Sequence, residues 1–211
     1  MINGGGIVDN EEMNVEDSVS AIDKKKKIKG YILEGLLYVA LFLVCVFVIP
    51  NYVVQRAKVS GPSMMNTLQD EDNVLVSKIS YEVHDPERFD IVVFYPYKGR
   101  EEYKNDKEKQ KEHFVKRVIG LPGEKIQIIG SDIYINGEKL DEHYGKDPIT
   151  DGGIANEPIT LGEDEYFLMG DNRAVSFDSR FEEIGPIHKD AIDGKAVLRI
   201  WPLKTFGKID K

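Results

Sequence analysis

The chain has 211 residues, of which 41% are hydrophobic and 31% are charged, enough for a folded domain with a packed core. Its formal net charge of −9 argues against a nucleic-acid partner, because nucleic-acid-binding proteins usually carry a basic surface. The single cysteine, Cys45, excludes an intrachain disulfide, and the spacing of the four histidines indicates no zinc site. We expect no metal and no cofactor.

The first predicted element is a tail, residues 1–29, that ends in a basic run. It is polar, rich in acidic residues and contains several glycines, a composition typical of disorder. Five lysines lie between Lys24 and Lys29, whereas only Arg56 and Lys58 follow the next element closely. Because lysine and arginine favour the cytoplasmic side of a membrane, this tail is expected to be cytoplasmic.

Residues 30–54 are predicted to form a single transmembrane helix. From Gly35 to Val54 no residue is charged, and a helix of that length spans about 30 Å, the thickness of the hydrocarbon layer. Pro50 is expected to kink or end the helix. A cleaved secretory signal is a weaker interpretation because the run is long and follows a long lead, and a buried core helix is weaker because the run is apolar all round.

Residues 55–211 are predicted to form a mostly β, antiparallel domain outside the membrane. Short β-branched runs occur at 73–76 and 90–94, and residues 166–169 and 196–201 are predicted to be later strands. Asn136-Gly137, between 133–135 and 138–140, favours a type I′ hairpin turn. No long amphipathic helical pattern follows residue 57. The charged stretch 98–112 and an insert at about 130–165 are expected to be excursions from the sheet.

Three segments of this domain carry candidate chemistry: Val59–Leu68, His113–Gly123 and Met169–Arg180. Ser63 follows a Gly-Pro pair, where the backbone can turn sharply and expose a hydroxyl. A serine needs an adjacent base, and Lys116 lies among apolar residues whose surroundings lower the pKa of an amine. Each feature alone has a commoner explanation, since most such serines lie in simple turns, most strand lysines reach solvent and most mixed-charge loops are surface ion pairs.

In this order behind an apolar segment, the three segments together resemble bacterial type I signal peptidase, peptidase family S26, as far as about Trp201. Glycine at position 61, two residues before Ser63, is similar to the branch of the family that has glycine there, which is typical of Gram-positive bacteria. The resemblance implies a membrane-bound serine endopeptidase that removes N-terminal signal peptides from secreted preproteins through an acyl-enzyme. It also implies a single-pass protein of the bacterial cell membrane, with the catalytic domain extracytoplasmic.

The resemblance implies that Ser63 is the nucleophile and Lys116 the general base. Ser176 is expected to hydrogen-bond the lysine amine, and Asp178 and Arg180 to form an ion pair that shapes the site. The remaining supporting residues are Arg117, Asp171 and Arg173. The expected substrate-binding residues are Val59, Met64, Phe114 and Val115.

The implied partners are membrane lipid and secretory preproteins with small residues at positions −1 and −3 of the cleavage site. The preprotein is expected to bind extended, as an added strand. The backbone N–H of Ser63 is the expected oxyanion donor, because Gly61 offers no side-chain donor. Asn66 stands where many members of the family have proline, so a looser turn is expected there.

Three other interpretations remain open at this point. A membrane-anchored binding module needs neither Ser63 nor Lys116. A self-cleaving Ser-Lys repressor carries a DNA-binding helix-turn-helix and a basic face, and neither is apparent here. A histidine-based branch of the same family has a histidine at the position of Lys116.

Overall fold

The computed structural model describes residues 8–145 and 147–209. The chain divides into two compact units, Met1–Pro50 and Asn51–Lys211. The first is helical and the second is built from β-strands.

The first unit is a helix, α1, at Val8–Leu43, which continues in π-helical geometry over Val44–Val53. Pro50 lies in this last part, where its missing N–H removes one regular helical hydrogen bond. Lys26–Phe47 is long and apolar enough to cross a membrane, and its side chains are exposed. These properties are consistent with the anchor that we predicted.

The helix also includes residues 8–29, although their composition favours disorder. Glutamate, lysine, methionine and alanine are good helix formers, and extending an existing helix is easier than nucleating one. The apolar segment supplies that existing helix. The rest of the predicted tail, residues 1–7, lies outside the described part of the chain.

The second unit contains twelve strands within the described residues, and one four-residue helix, α2, at Ser80–Val83. The strands are β1 Val54–Lys58, β2 Asn73–Ser77, β3 Ile91–Phe94, β4 Phe114–Gly120, β5 Lys125–Ile129, β6 Asp132–Ile135, β7 Glu138–Lys139, β8 Ile159–Thr160, β9 Glu165–Met169, β10 Ile187–His188, β11 Ile192–Trp201 and β12 Gly207–Lys208. The 3₁₀ turns are Glu101–Tyr103, Lys109–Lys111, Gly153–Asn156, Lys189–Ala191 and Leu203–Thr205.

These strands form two antiparallel sheets. The larger has the order β1-β2-β11-β3-β4-β9-β10, with β12 paired to β11, and the smaller has the order β7-β6-β5-β8. The predicted mostly β, antiparallel fold is therefore confirmed. The predicted hairpin is confirmed as well: Asn136 and Gly137 have φ angles of 53° and 88°, as a type I′ turn requires.

The smaller sheet covers much of the stretch, about 130–165, in which we predicted an insert. The sheet begins at Lys125, because β5 pairs with both β6 and β8. A long connection from residue 140 to residue 158 joins β7 to β8 and contains the 3₁₀ turn Gly153–Asn156. The charged stretch 98–112 joins β3 to β4 through two short 3₁₀ turns.

β4 is the strand that positions the candidate site. It lies inside the larger sheet between β3 and β9, with Lys116 opposite Val92 and Arg117 opposite Met169. Apolar side chains pack on both faces of this sheet, so every side chain of β4 from Val115 onward is buried. Any polar group on β4 therefore has to find its partners inside the protein.

Candidate active site

The structure brings Ser63 and Lys116 together, although 53 positions separate them in the chain. Ser63 lies in the loop between β1 and β2, and Lys116 on β4. The Lys116 Nζ donates to Ser63 Oγ at 2.8 Å and to the carbonyl oxygen of Val115 at 3.2 Å. A hydroxyl within hydrogen-bonding distance of an amine is the geometry that proton transfer from a serine requires.

Burial sets the protonation of this amine. Lys116 is 4% exposed, and loss of hydration lowers its pKa to about 8. The negative charges of Asp178 and Asp171 act in the opposite direction, whereas the positive charge of Arg180 adds to the lowering. A substantial fraction of Lys116 is therefore neutral near pH 8 and able to accept a proton.

The loop that carries Ser63 is fixed by hydrogen bonds at both ends. The backbone N–H of Asn172 donates to the Ser63 carbonyl oxygen at 2.9 Å, and the Asn172 side chain donates to the Pro62 carbonyl oxygen at 3.1 Å. The N–H of Gly61 donates to Asp70 Oδ1 at 2.9 Å. Asn172 and Asp70 are absent from the sequence-predicted set. Asn172 stands within the third motif, whereas no pattern marks Asp70.

The turn after Ser63 is closed rather than loose. The N–H of Leu68 donates to the Met64 carbonyl oxygen at 2.8 Å. Asn66 has a φ of 97°, a value that proline, fixed near −65°, does not reach. Asparagine tolerates this left-handed region better than most residues. Asn66 therefore belongs to a turn that a proline at this position could not form.

Arg117 and Asp171 form a fully buried ion pair directly beside Lys116. Arg117 Nε and Nη2 each donate to one carboxylate oxygen of Asp171 at 2.8 Å, and both side chains are 0% exposed. Thr67, from the Ser63 loop, donates its hydroxyl to Asp171 at 2.5 Å. The pair therefore joins β4, the segment after β9 and the loop of Ser63.

Asp178 and Arg180 form the second buried pair, as the resemblance implies. Arg180 Nε donates to Asp178 Oδ1 at 2.8 Å, and Arg180 Nη2 also donates to the carbonyl oxygens of Arg173 and Ser176. Asp178 in turn accepts the N–H of Gly170 at 3.0 Å. The pair therefore folds residues 170–180 into a closed loop by satisfying its backbone groups.

Arg173 finds its charge partner elsewhere. It pairs with Glu142 through two hydrogen bonds, of 2.8 and 3.1 Å, and its Nε donates to the Gly170 carbonyl oxygen. Glu142 comes from the long connection within the insert, where no local sequence pattern marks it. The supporting network of the site therefore extends into the insert, which the sequence did not indicate.

Ser176 is near the site, but the expected hydrogen bond to Lys116 is absent from the described residues. The Ser176 side chain is 2% exposed, and its Oγ has no hydrogen-bond partner. The amine of Lys116 is directed instead at Ser63 and the carbonyl oxygen of Val115.

Ser63 and Lys116 open into a cleft of about 790 Å³. The four residues expected to bind substrate all line it: Val59, Met64, Phe114 and Val115. Val175 and Phe177 line it too, although the sequence did not single them out. Among residues 8–145 and 147–209, no three His, Cys, Asp or Glu side chains are grouped as a metal site requires.

Comparison with known proteins matches this chain to one family. A family model described as signal peptidase, peptidase S26, matches residues 32–201. A signal peptidase I from Leptolyngbya laminosa is 36% identical over 84% of each chain. A signal peptidase I from Bacillus caldolyticus is 38% identical over 76% of this chain and 84% of its own. Signal peptidase IB from Staphylococcus aureus is 32% identical over 84% of this chain and 94% of its own.

Among solved structures, a signal peptidase I from Enterococcus faecalis matches with 29% sequence identity and a TM-score of 0.40. The match covers 53% of this chain and 97% of that one.

Replacing Asp171 by asparagine is expected to lower the free energy of unfolding by about 3–5 kcal/mol, because the change leaves the buried charge of Arg117 without its counter-ion. Urea unfolding of the full chain in detergent measures the loss. The matched control is Asp132→Asn, which breaks the exposed pair with Lys139 and should cost far less, because solvent screens such a pair. Equal losses in the two variants would contradict the structural role of the buried pair.

Replacing Lys116 by methionine is expected to stabilise the protein by roughly 1–3 kcal/mol at pH 7, because a buried ammonium is replaced by an apolar group of similar length. With the folded pKa at about 8, the unfolded chain binds more protons than the folded one between about pH 8 and the ordinary lysine pKa of 10.5. As the pH rises through that range, the free energy of unfolding of the wild type therefore increases relative to that of the variant. Urea unfolding of both proteins from pH 7 to 10.5 tests this, and a constant difference would contradict it.

Proposed function

The chain belongs to the signal peptidase family, peptidase family S26, and we propose that it is a membrane-bound serine endopeptidase that removes signal peptides with a Ser63–Lys116 dyad. Membership of the family supports the hydrolase activity. The use of a Ser63–Lys116 dyad is the more detailed part of the proposal. The observation that carries it is the 2.8 Å hydrogen bond between a serine hydroxyl and a buried amine of lowered pKa. Both groups face the same cleft, so a peptide bound there reaches both.

The proposed reaction is acyl transfer in two halves. Neutral Lys116 takes the proton of Ser63 as Oγ attacks the scissile carbonyl, and the resulting ammonium protonates the departing amine as the peptide bond breaks. The acyl group then remains on Ser63 as an ester. Lys116, neutral again, takes a proton from water, whose oxygen attacks the ester and releases the carboxylate, and the proton returns to Ser63.

The oxyanion that forms in each half needs a hydrogen-bond donor, and we assign the backbone N–H of Ser63 to this role. Asn172 supports the assignment, because its two hydrogen bonds to the carbonyl oxygens of Pro62 and Ser63 hold the peptide group that carries this N–H. Gly61, with a φ of 86°, supplies no side-chain donor two residues earlier.

The proposed substrate is a secretory preprotein with small residues at −1 and −3. Val59, Met64 and Val115 are each no more than 9% exposed, so their side chains form the floor of the cleft. A floor of packed side chains leaves only shallow depressions, which favour small residues over large ones. We propose that the preprotein binds extended, as an added strand.

We place the protein in the bacterial cell membrane as a single-pass protein, with its N-terminus in the cytoplasm and its catalytic domain outside. The exposed apolar helix from Lys26 to Phe47 supports the anchor, where it contacts membrane lipid. The five lysines between Lys24 and Lys29, before the uncharged run that starts at Gly35, support the orientation, because basic residues are retained on the cytoplasmic side.

Cleavage of a preprotein with an Ala-x-Ala cleavage site by the purified chain in detergent tests the proposal. Wild type is expected to cut after the second alanine, and Ser63→Ala and Lys116→Met are expected to lose at least about a thousandfold in kcat/KM. Ser131→Ala and Lys125→Met, which change exposed residues outside the cleft, serve as controls with wild-type activity. Wild-type activity in Ser63→Ala would rule out the dyad, and a folded wild type that cuts nothing would favour a binding module.

The pH dependence of cleavage follows from the pKa of Lys116. Because only the neutral amine accepts a proton, kcat/KM should rise with pH and level off above about pH 8. Each pH unit below that value should lower the rate about tenfold. Peptide cleavage measured from pH 6 to 9.5 gives the profile, and a rate independent of pH across this range would contradict the assignment of Lys116 as the base.

A further inference from the structure

Lys109 holds the charged segment between β3 and β4, residues 98–112, through contacts with Tyr97, Tyr103 and Glu183, which we call the clasp. The amine of Lys109 lies 4.7 Å from the ring centre of Tyr97 and 4.4 Å from that of Tyr103. It also lies 3.4 Å from Glu183 Oε1. Two aromatic faces and one carboxylate therefore hold a single cation, each contributing a modest attraction at an exposed position.

Two further side chains tie the same segment down. Arg100 Nη1 donates to the Glu183 carbonyl oxygen at 2.7 Å, and its Nη2 donates to that of Ile184. Gln110 Nε2 donates to the Tyr97 carbonyl oxygen at 2.5 Å. A segment whose composition predicts a solvated loop is thus fixed to residues 183–184, which follow the Asp178–Arg180 pair.

This fixed segment is part of the cleft that contains Ser63 and Lys116. Its residues that line the cleft are Asp106, Glu108, Lys109, Lys111 and Glu112. The cleft volume of about 790 Å³ lies in the range of sites that enclose a whole ligand and is far larger than two small side chains need. The part of the cleft along residues 106–112 is therefore open to other residues of a bound chain.

A row of aromatic rings connects the clasp with the dyad. The ring of Tyr97 is 6.5 Å from that of Phe114, which is 6.3 Å from that of Phe177. The amine of Lys116 lies 5.2 Å from the centre of the Phe114 ring. The clasp therefore lies at one end of a packed wall whose other end borders the reacting groups.

We propose that the five cleft-lining residues of this segment form an additional subsite, which binds the extended preprotein chain beyond its small −1 and −3 residues, and that Lys109 is a positioning residue for this subsite. This inference rests on the proposed function. An extended chain advances about 3.3 Å per residue, so a few residues on from the scissile bond it passes the segment that leads into β4. A wall already held in place spares the cost of ordering a loop when the chain binds.

The test compares Lys109→Met with wild type on two peptides that share one cleavage site, about six and about fourteen residues long, so that only the longer reaches past the dyad on both sides. The full chain is used in detergent. For the longer peptide, Lys109→Met is expected to raise KM roughly three- to tenfold with kcat unchanged. For the shorter peptide, neither constant should change. The pH profile should also stay that of wild type.

Two variants of the same segment sharpen the test. Lys107→Met removes an exposed lysine that does not line the cleft, and it should behave as wild type on both peptides. Lys109→Arg keeps a cation that stacks on tyrosine rings and pairs with Glu183, and it should restore the KM of the longer peptide. An equal loss on both peptides, or no loss on either, would overturn the subsite.

A binding measurement distinguishes failure of the proposed function from failure of the subsite. Fluorescently labelled forms of both peptides are titrated with the Ser63→Ala chain, and with that chain carrying Lys109→Met in addition. The longer peptide should bind more tightly than the shorter one, and only its affinity should fall with Lys109→Met. This pattern without any cleavage by wild type would preserve the subsite and reject the peptidase, whereas equal affinities in all four titrations would reject the subsite.

Discussion

The buried ion pair between Arg117 and Asp171 is the interaction on which the rest of the site depends. Arg117 is the neighbour of Lys116 on β4, and Asp171 accepts the hydroxyl of Thr67 from the loop that carries Ser63. Two charges with no exposed surface are tolerated only when each is neutralised and hydrogen-bonded by the other. Because Asp171 bonds both Arg117 on β4 and Thr67 in the loop, the pair holds the Ser63 loop against the strand that carries Lys116.

The buried charges around Lys116 also affect its pKa. Two carboxylates, Asp171 and Asp178, lie close enough to stabilise its ammonium form, yet each is already paired with an arginine. Desolvation is the larger influence, so the pKa falls to about 8.

The segment from residue 98 to residue 112 shows how composition and structure diverge. Its density of lysine and glutamate is typical of a solvated loop. In the folded chain, however, Lys109 and Arg100 reach partners at residues 183–184, more than 70 positions away. These contacts fix the segment beside the cleft. The charged side chains that are typical of a solvated loop therefore also attach it to the rest of the domain.

The sequence by itself determined the apolar segment, the antiparallel β character and the Asn136-Gly137 hairpin, because each depends on hydrophobic pattern or local backbone preference. It also marked Ser63 and Lys116 through motifs with a family resemblance. Only the tertiary structure decided that Arg173 pairs with Glu142, that Asn172 holds the Ser63 loop and that Ser176 makes no hydrogen bond to the amine of Lys116. Those contacts join residues far apart in the chain, and which of many possible polar partners meet is settled by packing rather than by local sequence.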